Sequence, residues 1–319
     1  EGPGMCRPVE RLVNVFTTGN TSGESLCDSI VGALKKANVN MDFIVGQSYD
    51  GASNMRGQYC GLRTRMLQYA EKAQFVWCHA HRLNLVVESM LCCSTDIKKV
   101  LGLLQELYIF FNSHRRHAVL IKLQETEAHR RTLKRVSDTT RSWRSAEDCV
   151  KTLMECFATI TEALQCLESD KSSDKSTVSS AGGLLRRLND FNLVITLHIL
   201  KFVLGITGPV SRILQGVSVD LAIAVALIES CLKKLDDATK NCDHHWQQIL
   251  AEAKAFAELQ DIDPTFHVTR ARKTKKMFDE LALDERVEDP ERRIKTTVFR
   301  CVIDSVYVQL KERFQTEDL

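Results

Sequence analysis

Uninterrupted apolar sequence is scarce in this 319-residue chain. The longest run, from Leu193 to Ile206, is broken by His198 and Lys201. A bilayer crossing needs about 20 predominantly apolar residues, so neither a membrane segment nor a membrane partner is expected. The start, Glu1-Gly2-Pro3-Gly4, has neither the basic nor the apolar region of a signal peptide. Charge of one sign is lacking too: 43 Lys and Arg against 41 Asp and Glu leave a net +2, so any pull on nucleic acid has to come from local clusters. No G-x-S-x-G elbow, glycine-rich phosphate loop or H-E-x-x-H is present, which leaves hydrolase and kinase readings without sequence support. No internal repeat is visible.

What is present is enough apolar material, 44% of residues, to bury one sizeable core, or a core with a helical satellite. The 12 cysteines are diluted among helix-forming apolar neighbours. That distribution suits a reducing, intracellular compartment better than a disulfide framework. Basic residues cluster at Arg130, Arg131, Lys134, Arg135, Arg141 and Arg144, and again from Arg270 to Lys276. Such clusters serve either as phosphate contacts or as solvated faces.

Up to about residue 90, strand-like and helix-like patterns alternate, as in an α/β layer. Strands are predicted at Arg11 to Thr17, Phe43 to Gln47 and Gln74 to Cys78. A helix capped by Thr21 or Ser22 is predicted up to Asn38. Beyond His81 the apolar spacing is helical throughout, notably over 97–111, 150–167, 221–235 and 299–310. Ser169 to Ser180 is polar and aperiodic, and reads as a loop between helices. Asp261 to Glu291 reads as a long loop crossed by a short helix at Lys276 to Leu283.

Asp50 ends a short apolar strand and is followed by Gly51-Ala52-Ser53-Asn54, small residues that leave its carboxylate open. A carboxylate there is placed to hold Mg²⁺, or simply to start an Asp-Gly turn. Cys78, His79 and His81 give a C-x-x-H spacing, half of a zinc site; Cys92 and Cys93 supply no second paired motif. His114 and His117 form an H-x-x-H pair without the metalloprotease glutamate. Trp143, between Arg141 and Arg144, could stack on an unpaired base, or anchor a helix start.

Two blocks, GQSYDGASNMRG (Gly46 to Gly57) and FVWCHAHRLNLVV (Phe75 to Val87), resemble hAT-superfamily transposases, in particular their DUF4371-type, transposon-derived relatives of the zinc finger MYM-type and THAP-domain repressor kind. Three further blocks agree in order, at Ser137 to Leu153, Leu214 to Leu235 and Ile294 to Phe314. The resemblance implies α/β plus all-α architecture: a truncated RNase H-like sheet with a large helical insertion domain. It divides the chain into a partial core (1–135), the insertion (136–290) and a return helix (291–319). It implies that Asp50 matches the second of three metal-binding acids, and that Cys78 and His81 match a C-x-x-H motif contacting DNA. Arg141, Trp143 and Arg144 then match the start of the insertion, where opened DNA ends are held, although Ser142 interrupts the usual Thr-Arg-Trp. The first acid would precede this sequence and the third would follow it; Glu312 and Glu317 sit in no matching motif. With Asp50 alone, a vestigial acid, no cofactor is expected, and Mg²⁺ or Mn²⁺ only if the triad is completed outside this chain. The function implied is a non-catalytic DNA- or protein-binding domain in the nucleus. The alternatives are part of an active DDE-type transposase and a helical protein-interaction scaffold. DNA and protein partners are both open, as are dimerisation and any other homo-oligomeric state.

Overall fold

The computed structural model describes residues 9–57, 60–124, 132–135, 142–214, 221–267 and 289–314. They divide into two compact units, Glu1–Arg82 and Leu83–Leu319. The helices between residues 95 and 123 share their apolar faces with those that follow.

The first unit begins with α1 (Gly23–Lys36), where Ser22 Oγ accepts from Ser25 N–H at 3.3 Å. The helix ends as asparagine allows: Asn38 takes φ 54°, and the N–H groups of Asn38 and Val39 reach back to Lys35 O and Leu34 O, both at 3.0 Å. A 3₁₀ turn (Met41–Phe43) follows, then β1 (Gly46–Tyr49), α2 (Ser53–Arg56), α3 (Leu62–Met66) and β2 (Gln74–Trp77). The strands pair in parallel, Gly46 opposite Gln74 through Tyr49 opposite Trp77. Leu26, Cys27 and Val31 of α1 bury against Leu62 and Met66 of α3. Gln47, buried within β1, donates from Nε2 to Ala73 O at 3.0 Å and to Arg63 O at 3.3 Å, which leaves its buried Oε1 without a partner.

Two strand expectations need correction. Arg11 to Thr17 takes no regular secondary structure and has no ladder partner among the described residues, and Leu12 and Val15 are 84% and 80% exposed. A β-prone sequence suits a pleated surface, but it becomes a strand only when a neighbour supplies hydrogen bonds. Among the described residues the sheet therefore has two strands instead of three. The second expected strand is displaced from Phe43–Gln47 to Gly46–Tyr49, since Asn40 Oδ1 caps the 3₁₀ turn by accepting from Asp42 N–H at 3.0 Å.

The second unit is helical among its described residues. It takes its first core residues from α4 (His79–Cys92), then runs through α5 (Thr95–Phe111), α6 (His114–Leu123), α7 (Ser142–Glu155), α8 (Phe157–Ser169), α9 (Lys175–Leu188), α10 (Phe191–Leu214), α11 (Leu221–Lys240), α12 (Cys242–Leu259), α13 (Pro290–Ile294) and α14 (Cys301–Arg313). A π-helical stretch, Lys295–Arg300, joins the last two. The pattern expected over 150–167 is two helices, broken at Cys156 (φ −106°, ψ 19°). The loop expected over Ser169 to Ser180 is shorter than that, because Asp174 caps α9 by accepting from Thr177 N–H at 3.1 Å. The short helix expected at Lys276 to Leu283 lies outside the described residues.

Helix α10 organises this unit, with α5, α7, α9, α11 and α12 packed around it. By length and composition alone it is apolar enough to cross a membrane, a test that a buried core helix also passes. Its apolar residues are spent on the core: Leu193, Val194, Leu197, Leu200 and Val203 are all buried against other helices. Its polar residues turn inward on their own backbone. Thr196 and Thr207 hydroxyls donate to Asn192 O and Val203 O at 2.7 Å, and His198 Nδ1 lies 2.9 Å from Val194 O. Elsewhere, Trp246 Nε1–H donates to Glu291 Oε1 at 2.9 Å, and Arg293 reaches Asp96 at 3.0 Å.

Leu197→Ala should cost about 2–5 kcal/mol, read as a lower urea midpoint, because the cavity would lie where helices close from several sides. Burial, above all, holds the His198 pKa below 6.5, with Lys201 also lowering it, against raising contributions from Val194 and Glu252. The unfolded chain then binds the extra proton first, so stability should fall as pH drops through about 6.5. Urea midpoints at pH 7.5 and 5.5 should differ less in His198→Asn than in the parent.

Candidate functional site

The carboxyl ends of β1 and β2 lie side by side. Tyr49 pairs with Trp77, and Cys78 N–H donates to Tyr49 O at 3.1 Å. Asp50 and Cys78, each one residue past its strand, therefore leave the same end of the sheet, where ligands of parallel sheets bind.

Asp50 is exposed, and its Oδ1 accepts from Ala52 N–H at 3.1 Å. This is an Asx turn, the structural option for an Asp-Gly dipeptide. Gly51 is required for a different reason. A Cβ there would sit 2.6 Å from Trp77 Cζ2, so the indole rests directly on the glycine backbone. On the same indole lies the guanidinium of Arg82, 5.3 Å from the ring centroid, in a side chain only 2% exposed. Behind this stack, Tyr49 and Phe75 lie 6.2 Å apart, with the Arg63 guanidinium 5.0 Å from Phe75.

Cys78 is a half-buried free thiol whose carbonyl accepts from Arg82 N–H at 3.0 Å, and α4 starts at the next residue. The first amides of α4 thus open at the strand end, a favourable place for an anion. His79 and His81 follow on the first turn, both half-buried. Burial first, and the Arg82 charge second, hold the His79 pKa below the usual histidine value. His79 is therefore neutral at pH 7, and the charge of this edge comes from arginine.

Among the described residues no three His, Cys, Asp or Glu side chains gather closely enough to share a metal ion. The Asp50 carboxylate is turned onto its own loop, accepting from Ala52 N–H. Cys78 and His81 likewise have no further ligands to complete a zinc tetrahedron among these residues.

The basic cluster is described only in part. Lys134 pairs with Asp148 at 2.6 Å. Arg130, Arg131 and Arg141 lie outside the described residues, as do Arg270 to Lys276. Trp143 and Arg144 fall on the first turn of α7, and their side chains are not described. Trp77 and Arg82 were not singled out from the sequence, although both lie in the block FVWCHAHRLNLVV. An arginine followed by an apolar helical stripe was the available signal.

Residues 6–61, which include α1, β1 and Asp50, match the DUF4371 model, described as the ZMYM1/FAM200 RNase-like domain. Two curated relatives match over 72% of the chain, both called 52 kDa repressor of the inhibitor of the protein kinase. The human protein is 23% identical over 239 residues, and the Mus musculus protein 24% identical over 243. The chain is thus similar to the DUF4371 domain over its first part and to these repressors over most of its length. It spans 31% of the length of either repressor. No solved structure matches it. The DUF4371 match ends before β2, so the Trp77–Arg82 stack lies outside it.

Gly51→Ala should force the indole off its seat, costing about 1–3 kcal/mol as overpacked sites do. Trp77 fluorescence should shift with it, and an unchanged emission spectrum with unchanged stability would show that the stack has no role in holding the strand end.

Proposed function

We propose that this chain is a non-catalytic, transposase-derived domain that binds DNA in the nucleus, in keeping with the repressor name its relatives carry. The observation that carries this reading is the strand end itself. Where a metal-dependent strand-transfer enzyme requires converging carboxylates, one exposed Asp50 caps its own turn, beside a buried arginine stacked on tryptophan. The roles proposed for the remaining residues follow the resemblance. Cys78 and His81 would border the DNA, and Arg141, Trp143 and Arg144 would contribute phosphate contacts and a stacking surface. The acids of a complete triad, if another part of a longer protein supplied them, would turn the same edge into a cleaving site.

A scaffold role for proteins is favoured by one observation only, the size of the helical unit and its shared core. The two readings separate by salt. A DNA-binding chain should lose affinity steeply between about 50 and 200 mM salt, since each phosphate contact releases condensed counterions. Replacing Arg130, Arg131, Lys134, Arg135, Arg141 and Arg144 with glutamine should flatten that slope. Affinity indifferent to salt, or unchanged in the substituted chain, would leave the scaffold reading. Incubated with DNA hairpins and Mg²⁺ or Mn²⁺, the chain should release no cut strand, and turnover abolished by Asp50→Asn would overturn the non-catalytic assignment.

A further inference from the structure

Helix α10 is also the floor of a cleft walled by α7 and α12. The cleft encloses about 860 Å³, the size of a small-molecule site. Its apolar surface comes from Val150 and Met154 on one wall, Leu204 on the floor and Phe256 on the other wall. Gly205 keeps the floor open: no atom outside its own helix backbone lies within 4 Å of where its Cβ would stand. Pro209, four residues on, has no N–H, so the Gly205 carbonyl lacks its usual helical donor.

One polar side chain is built into this apolar surface. His198 lines the cleft although only 4% exposed, with its ring edge-on to Phe256 at 5.3 Å between centroids. Its Nδ1 lies 2.9 Å from Val194 O. A carbonyl only accepts, so Nδ1 carries the proton and the neutral ring offers Nε2 as an acceptor. Among the described residues nothing donates to Nε2. An acceptor set in the wall of an apolar cleft is a place where a ligand donor forms a hydrogen bond shielded from water. The charges at the mouth are already matched: Lys201 faces Glu252 at 3.8 Å, Lys151 faces Glu155 at 3.9 Å, and Arg212 holds Glu147 at 3.0 Å. A charged ligand would find no unmatched partner there, and would lose its hydration on entry.

We propose that the cleft between α7, α10 and α12 binds an uncharged, planar aromatic molecule that donates one hydrogen bond to Nε2 of His198 and rests against Phe256. The inference does not depend on DNA binding.

The test uses two probes of nearly equal shape, indole, whose N–H donates, and 1-methylindole, whose nitrogen cannot. Titrated into the full chain and followed by calorimetry, indole should bind. 1-Methylindole should bind at least about five-fold more weakly, which is about 1 kcal/mol. Gly205→Leu fills the floor with a good helix former and should abolish indole binding while circular dichroism and the melting temperature are retained. Should that variant unfold, Gly205→Ala, with weakened binding, serves in its place. In His198→Phe the preference for indole over its methylated form should vanish. Equal affinity of the two probes in the parent chain, undiminished indole binding by folded Gly205→Leu, or no binding of indole at millimolar concentration would each overturn the proposal.

Discussion

The helical unit depends on the burial of one helix from several sides. Helix α10 has apolar residues around most of its circumference, a pattern stable only when neighbours cover those faces. Helices α5, α7, α9, α11 and α12 provide that cover. Conversely, each neighbour needs only one apolar stripe, because α10 presents an apolar surface to several of them. The hydrophobic term is non-directional, so it gathers these helices without fixing their orientation. Orientation is left to surface and partly buried contacts such as Arg212 with Glu147 and Arg293 with Asp96. Burial pushes the Asp96 carboxyl up, yet the hydrogen bonds from Lys99 and Arg293 outweigh it and hold the group below its ordinary value. That contact weakens in acid, when the carboxylate takes up its proton.

In the first unit the corresponding constraint is local. The indole of Trp77 has to lie flat on Gly51, which fixes the turn after β1 relative to the end of β2. Asp50 then spends its carboxylate on Ala52 N–H, and the guanidinium of Arg82 covers the outer ring face. The result is an edge with a fixed aromatic platform, a buried positive charge and the first amides of a helix.

Helical periodicity was legible wherever an apolar stripe was long, as in α5, α11 and α14, because burial of one face is written directly into spacing. The paired strands were legible through Asp50 and Cys78, whose placement at one sheet end follows from two short apolar runs ending in small or polar residues. Residues 11–17 were misread, since Leu12, Val13, Val15 and Phe16 record a preference for a sheet but say nothing of whether a partner strand is present. The start of α9 was hidden in SDKSSDKST, where the decisive event is one carboxylate, Asp174, closing on Thr177 N–H. The Trp77–Arg82 stack was illegible for a similar reason. Its five-residue separation spans a strand end and a helix start, and no single periodicity connects them.

The inward turn of the polar groups on α10 bears on how such a domain diverges. Thr196, His198 and Thr207 bond to carbonyls of their own helix, one turn back. None of these three bonds ties α10 to a particular atom of a neighbouring helix. A lineage is then free to exchange one buried aliphatic for another on α5, α7 or α12 without breaking a cross-helix polar bond, provided volume is conserved.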